Sequence, residues 1–223
     1  MIDQYGNECA ADVIVNFKST SITNECLKKF ISQLKIKPEV SSRITSMFRN
    51  LYTIDKINNI EFREDCDLPT DGITIARGET GNDTGNMLIK LNSCRIASTN
   101  EFIASVILHE VTHALMIEYS SSPLFNSNGP EQHQQMFNSW VQDLKGALLD
   151  FFPLMNGGDA LALALGGLDS AFVTGNPTLN SALIQFNNEL NSKYGISIQQ
   201  RDKIINDYKN TIGSEMKGHD CGF

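Results

Sequence analysis

A helix that is apolar on almost every side can only pack inside a fold, and residues 101 to 117 spell such a helix. Glu101-Phe102-Ile103-Ala104-Ser105-Val106-Ile107-Leu108 leads in and Ala114-Leu115-Met116-Ile117 leads out, so little of its circumference is left for solvent. At its centre stands His109-Glu110-Val111-Thr112-His113. Buried imidazoles and carboxylates need partners, and the spacing supplies one. Four residues is slightly more than one helical turn, a rise of about 6 Å, with the two imidazoles nearly in register. Both can close on a single metal ion at roughly 2.0–2.1 Å. Glu110 is one residue out of line with them. It stands beside such an ion rather than on it, placed to take and return the proton of an activated water. Upstream, Ser98-Thr99-Asn100-Glu101 has the spacing of a capping box and predicts that the helix starts there.

Two histidines do not make a durable zinc site, because catalytic zinc normally has three protein ligands and one open position. The downstream candidates are Glu118, Glu131, His133 and Asp143. His133 shares a stripe with Phe137, Trp140, Leu144 and Leu148, so its imidazole is expected to face the interior. Gln132, Gln134, Gln135 and Asp143 fall on the more polar sides. Glu131 is the alternative ligand, and Asp143 could orient a ligand from behind. Tyr119 is a candidate hydrogen-bond donor to a developing oxyanion, though a tyrosine closing a helix is more commonly an amphipathic surface residue.

The pattern excludes one class of zinc peptidase. A metzincin needs Gly three residues past the second His and a further His three beyond that, where this chain has Met116 and Tyr119. A third ligand twenty residues on, from a separate helix, is the gluzincin-like arrangement. The chain resembles the SprT-like peptidases, especially those domains at the C-termini of large bacterial secreted and polymorphic-toxin proteins. The residues that carry the likeness are Leu108-His109-Glu110 with His113-Ala114, then Gln132-His133-Gln134-Gln135-Met136, then Gly166-Gly167-Leu168. It spans roughly Met87 to Phe172, and the zinc motif is its specific part.

The resemblance implies one Zn2+ held by His109, His113 and His133, with Glu110 as general base. It also implies an endopeptidase rather than an exopeptidase, acting on a protein or peptide, with an immunity or inhibitor protein as partner if this is a toxin domain. Strands early and helices late make the expected fold α+β, with a minimal zincin-like core, meaning a small mixed sheet plus the active-site helix, and a mostly helical C-terminal half. A Cys-rich ribbon that follows the catalytic part in many SprT-like proteins has no counterpart here. The competing functions are a non-catalytic domain that keeps zinc for stability and a zinc hydrolase of a non-peptide bond. Glu110 weighs against the first, since stability needs ligands and no base.

Composition sets outer limits. The chain has 223 residues, 41% of them hydrophobic, which suits one domain with a proper core. A net charge of −8 disfavours nucleic acid and anionic membrane as partners. No apolar run approaches a membrane span, and the start lacks the basic and apolar segments of a signal peptide. Those features fit a cytoplasmic protein or a piece of a larger exported one. The five cysteines, Cys9, Cys26, Cys66, Cys94 and Cys221, form no Cys-x-x-Cys pair. They are expected to be reduced core residues, with one disulfide from Cys9 as the alternative.

Along residues 1–223 we expect a single domain: strands within about 1–95, zinc-binding helices within about 99–149, and a helical part at about 159–212. Strands are expected at 13–17, 59–62, 73–76 and 87–92. Helices are expected from about 23 and from 38, then at 131–149, 159–165 continuing through 168–172, 179–193 and 199–210. Residues 78–86 read as a loop. The strand at 87–92 is either an edge that pairs with a peptide substrate or an internal strand feeding the zinc helix. Gly157-Gly158 and Gly166-Gly167 lack a phosphate-loop context and are expected in turns or close packing. His219 is expected to be solvated.

Overall fold

The structure is a computed structural model that describes residues 15–19, 21–36, 58–76, 79, 81, 86–94, 99–119, 130–169, 179–209 and 218. Its strands are β1 (Val15–Lys18), β2 (Asn58–Glu64), β3 (Gly72–Ile75) and β4 (Met87–Leu91). The helices are α1 (Glu25–Ile36), α2 (Asn100–Tyr119), α3 (Pro130–Gln135), α4 (Val141–Phe151), α5 (Gly157–Ala164), α6 (Leu179–Tyr194) and α7 (Ile198–Lys209). This is an α+β fold with a small mixed sheet and mostly helical content. The expected helix from Pro38, the loop at 78–86 apart from residues 79, 81 and 86, His219, Cys9 and Cys221 lie outside the described residues.

The four strands lie in the order β1-β2-β4-β3. β1 pairs with β2 and β2 with β4 in parallel, whereas β3 runs antiparallel to β4, with Thr74 opposite Ile89. β4 is therefore an internal strand, the second of the two placements expected for residues 87–92 and not the peptide-pairing edge. Its composition explains the placement: Met87, Leu88, Ile89 and Leu91 are all buried, the near-continuous apolar run of a strand covered on both faces. Among the described residues the strand at the edge beside the central helix is β3, whose Gly72-Ile73-Thr74-Ile75 is short and half-exposed.

α2 is buried along most of its length, with Ile103, Ala104, Ile107, Leu108, Val111, Ala114, Leu115 and Met116 all in the core. It packs on β3 and β4 and is met by α1, α4, α5 and α7. Its start is one residue later than the capping-box spacing predicts. Thr99 is the cap, its Oγ1 accepting from the Phe102 amide at 3.4 Å. The same hydroxyl donates to the Tyr208 carbonyl at 2.8 Å, pinning the end of α7 to the beginning of α2.

The helix expected at 131–149 spans Pro130 to Phe151 but is interrupted by a π-helical turn at Met136–Trp140. A π turn leaves carbonyls to be met by other donors, and α6 supplies them. Lys193 Nζ donates to the carbonyls of Phe137 and Asn138 at 3.2 and 3.0 Å, and the Tyr194 hydroxyl also donates to Phe137. Phe137, Trp140, Leu144 and Leu148 are nonetheless all buried, as their stripe predicts. α5 stops at Ala164, and of the expected continuation at 168–172 residues 170–172 lie outside the described residues. Its C-terminus folds into a turn in which Gly167 has φ +77°, a conformation that favours glycine.

The cysteines are not all reduced. Cys66 and Cys94 form a disulfide, and Cys26 is disulfide-bonded as well. The Cys66–Cys94 bridge joins the segment after β2 to the turn after β4. Around it the 65–71 segment is fastened to β4 by Lys90–Asp65 at 3.1 Å and by Asn92, whose side chain donates to the Leu68 carbonyl at 2.7 Å. That scaffold holds one wall of the site. Closing a loop of 28 residues stabilises the folded chain by roughly 3–4 kcal/mol in the chain-entropy model.

Candidate metal centre

His109 and His113 project from the middle of α2, and His133 projects from α3 toward the same point. The three Nε2 atoms form a triangle with sides of 3.0 Å (His109–His113), 3.1 Å (His113–His133) and 3.3 Å (His109–His133). A tetrahedral ion with nitrogens at 2.0–2.1 Å holds them about 3.3 Å apart, so the triangle has the dimensions of a facial three-nitrogen site. Hydrogen bonding alone does not account for it. A neutral imidazole carries one proton, and that of His113 is committed elsewhere: its Nδ1 donates to Oε1 of Gln132 through a short hydrogen bond. Nε2 of His113 is thereby left with a lone pair aimed at the other two rings. The group could hold a metal ion.

Electrostatics favours the ligand-competent state. Burial lowers the pKa of His109 well below its usual value, and the neighbouring His113 and His133 push it further down. His113 is pulled down to about 3, first by burial and then by His133, against a smaller upward pull from Gln132. Neutral imidazoles are what a metal binds.

Glu110 is buried beside the triangle, and its carboxyl is pushed up to about 7 by burial, partly offset by a hydrogen bond from Thr74. Thr74 Oγ1 lies 2.8 Å from Glu110 Oε2 and 2.9 Å from the Glu110 carbonyl. The edge strand thus sets the rotamer of this glutamate. Two glycines make the room. A Cβ on Gly72 would come within 2.9 Å of Glu110 Cγ, and one on Gly167 within 3.3 Å of His109 Cε1. Gly166-Gly167 is therefore a close-packing turn against a ring of the triangle. Gly157-Gly158 opens α5 behind the Asn156 cap.

Both the histidines and Glu110 face one cavity of about 690 Å³. Its described walls are the 69–73 segment, the His109 face of α2, the end of α5 with its glycine turn, and the Ile205–Lys209 face of α7.

The other sequence-derived candidates fare differently. Glu131 is exposed on the turn that carries His133 and is not part of the histidine group. Asp143 is on α4 and does not line the cavity. Gln132 stands behind His113. Tyr119 is the last residue of α2, and its side chain, like that of Glu118, lies outside the described set. Gln132, Thr74 and Gly72 were missed. The helical stripe puts Gln132 on a polar side, yet it is fully buried; its adjacency to His133 is the available signal. Nothing in the local sequence of β3 marks Thr74 or Gly72. No family model, curated protein or solved structure matches this chain.

Proposed function

We propose that this chain is a zinc-dependent endopeptidase with a zincin-like core. The observation that carries the reading is the convergence of three Nε2 atoms and a buried carboxylate on one cavity. A neutral three-nitrogen donor set suits zinc among the common divalent ions. A zinc ion held there supplies Lewis-acid polarisation of a carbonyl and lowers the pKa of water. Glu110 does the proton work. Buried beside the histidines and held by Thr74, it can accept a proton from the attacking water and donate it to the departing amine. Thr74 holds one of its oxygens and leaves the other for that exchange.

An extended peptide is the substrate shape that fits. Among the described residues β3 is the last strand in the sheet order, and it carries both Thr74 and Gly72 at the glutamate. Backbone pairing along such an edge delivers a peptide bond without requiring a particular side chain. The motifs shared with SprT-like peptidases support the same reaction. A purely structural zinc site is the weaker reading, because it has no use for a carboxyl tucked between a strand threonine and two glycine-lined walls.

The test is Glu110→Gln on the zinc-loaded protein, with an unfolded protein as substrate. Hydrolysis should fall by at least 100-fold, within the range lost with a general base, while zinc stays at one per chain. Retained hydrolysis sinks Glu110 as the base; absence of zinc uptake by the parent protein sinks the whole proposal.

A further inference from the structure

Beyond the histidines the cavity continues toward the start of α2, where its character changes. Val106 and Phe102 lie three and seven residues before His109, on the same face of the helix. The trough they floor runs about 10 Å from the metal centre. Leu163 of α5 and Ile205 of α7 line it as well. At its far end Lys209 Nζ lies 5.3 Å from the centroid of the Phe102 ring. Lys209 is matched by Asp71, whose two carboxylate oxygens are 2.7 and 3.0 Å away, so the ion pair ties α7 to the segment before β3. A lysine or arginine side chain entering here would meet Lys209, and an acidic one would have to displace Asp71.

We propose that this trough is the specificity pocket of the site and takes a large apolar side chain, Phe, Leu or Met, from a substrate residue flanking the cleaved bond. The inference rests on the hydrolytic reading above. Val106, one turn from His109 and only partly buried, lines the cavity between the histidines and Phe102. Its size sets what can pass.

The experiment uses the full zinc-loaded chain and peptides that differ only in one residue, Phe, Leu, Ala, Lys or Asp, on either side of the bond. Phe and Leu should be preferred over Ala on one side by on the order of 10–100-fold in kcat/KM, the yield of burying such a side chain. Val106→Phe should cut the Phe-to-Ala ratio at least tenfold. Should that variant fail to fold, Val106→Ala should move the preference from Leu toward Trp. Binding of the same peptides to zinc-loaded Glu110→Gln gives a readout without turnover and should show the same order. Cleavage with no apolar preference, or a ratio unmoved in a folded Val106 variant, overturns the pocket and leaves the hydrolytic reading standing. Selective binding of the Phe peptide without any cleavage by the parent protein keeps the pocket and sinks hydrolysis. Neither binding nor cleavage sinks both.

Discussion

Gln132 offers the most discriminating test of the proposed metal centre, because it stands outside the histidine triangle and yet fixes one of its rings. Its Oε1 accepts the Nδ1 proton of His113, which keeps Nε2 deprotonated and the ring angled into the triangle. Gln132→Met keeps the volume and removes the acceptor. Two effects then add on the loaded protein. The buried N–H of His113 is left unpaired, a cost of about 1–3 kcal/mol, and the ring regains freedom to turn or to move its proton to Nε2. Loss of such an outer partner weakens metal binding by roughly 10–100-fold, or about 1.4–2.7 kcal/mol. In the metal-free protein the ring can relieve the loss by changing tautomer, so affinity should suffer more than stability. Zinc affinity is read by competition with a chromophoric chelator at fixed pH. Glu131→Met, exposed on the adjoining position, is the control and should bind as the parent does. Affinity of Gln132→Met within twofold of the parent would refute the orienting role.

Gly72→Ala places a Cβ 2.9 Å from Glu110 Cγ and 3.2 Å from its Oε1, so the carboxylate must move. Hydrolysis should drop at least tenfold while zinc content is unchanged, and a rate equal to that of the parent would show that Glu110 needs no such placement. The metal-free protein should lose stability on acidification. His109 and His113 have folded pKa values below the ordinary 6.5, so the unfolded chain binds more protons once the pH falls below it. Each contributes a slope of up to about 1.4 kcal/mol per pH unit down to its folded pKa. Glu110, raised from 4.5 to about 7, acts in the opposite sense and opposes one of the two histidines across the window between those values. Urea melts in the presence of a chelator from pH 7.5 to 4.5 should therefore show falling stability; a flat profile would contradict the burial of the two rings.

The parts of this fold that were legible in the sequence are those whose information is local. α2 announces itself because its period, its flanks and its metal-binding spacing lie within about twenty consecutive residues. His133 is readable for a related reason: Phe137, Trp140, Leu144 and Leu148 mark the buried side of its helix, and an imidazole on that side needs a partner. The disulfides were not readable. Scattered cysteines carry no pairing information, and the meeting of Cys66 with Cys94 depends on how β2 and β4 register, with Ile60 opposite Met87. Assigning β4 to the sheet interior needs the same long-range knowledge.

The site shows why polarity is a poor guide once a helix enters a polar interior. Gln132 and His133 are adjacent, about 100° apart around α3, so a single apolar stripe cannot contain both. Reading that stripe alone sends Gln132 to solvent. The structure buries it because the helix faces a polar centre along part of its length, and a side chain off the apolar stripe can satisfy His113 there. Thr74 repeats the logic from the sheet side. As a residue on an edge strand it reads as an ordinary β-branched choice, but it is buried against Glu110, 36 positions away in the chain. The three histidines that could hold a metal are set by spacing along two helices, whereas the groups that orient them are set by which elements touch. A chain can therefore display its metal motif openly and still conceal most of what makes the motif work.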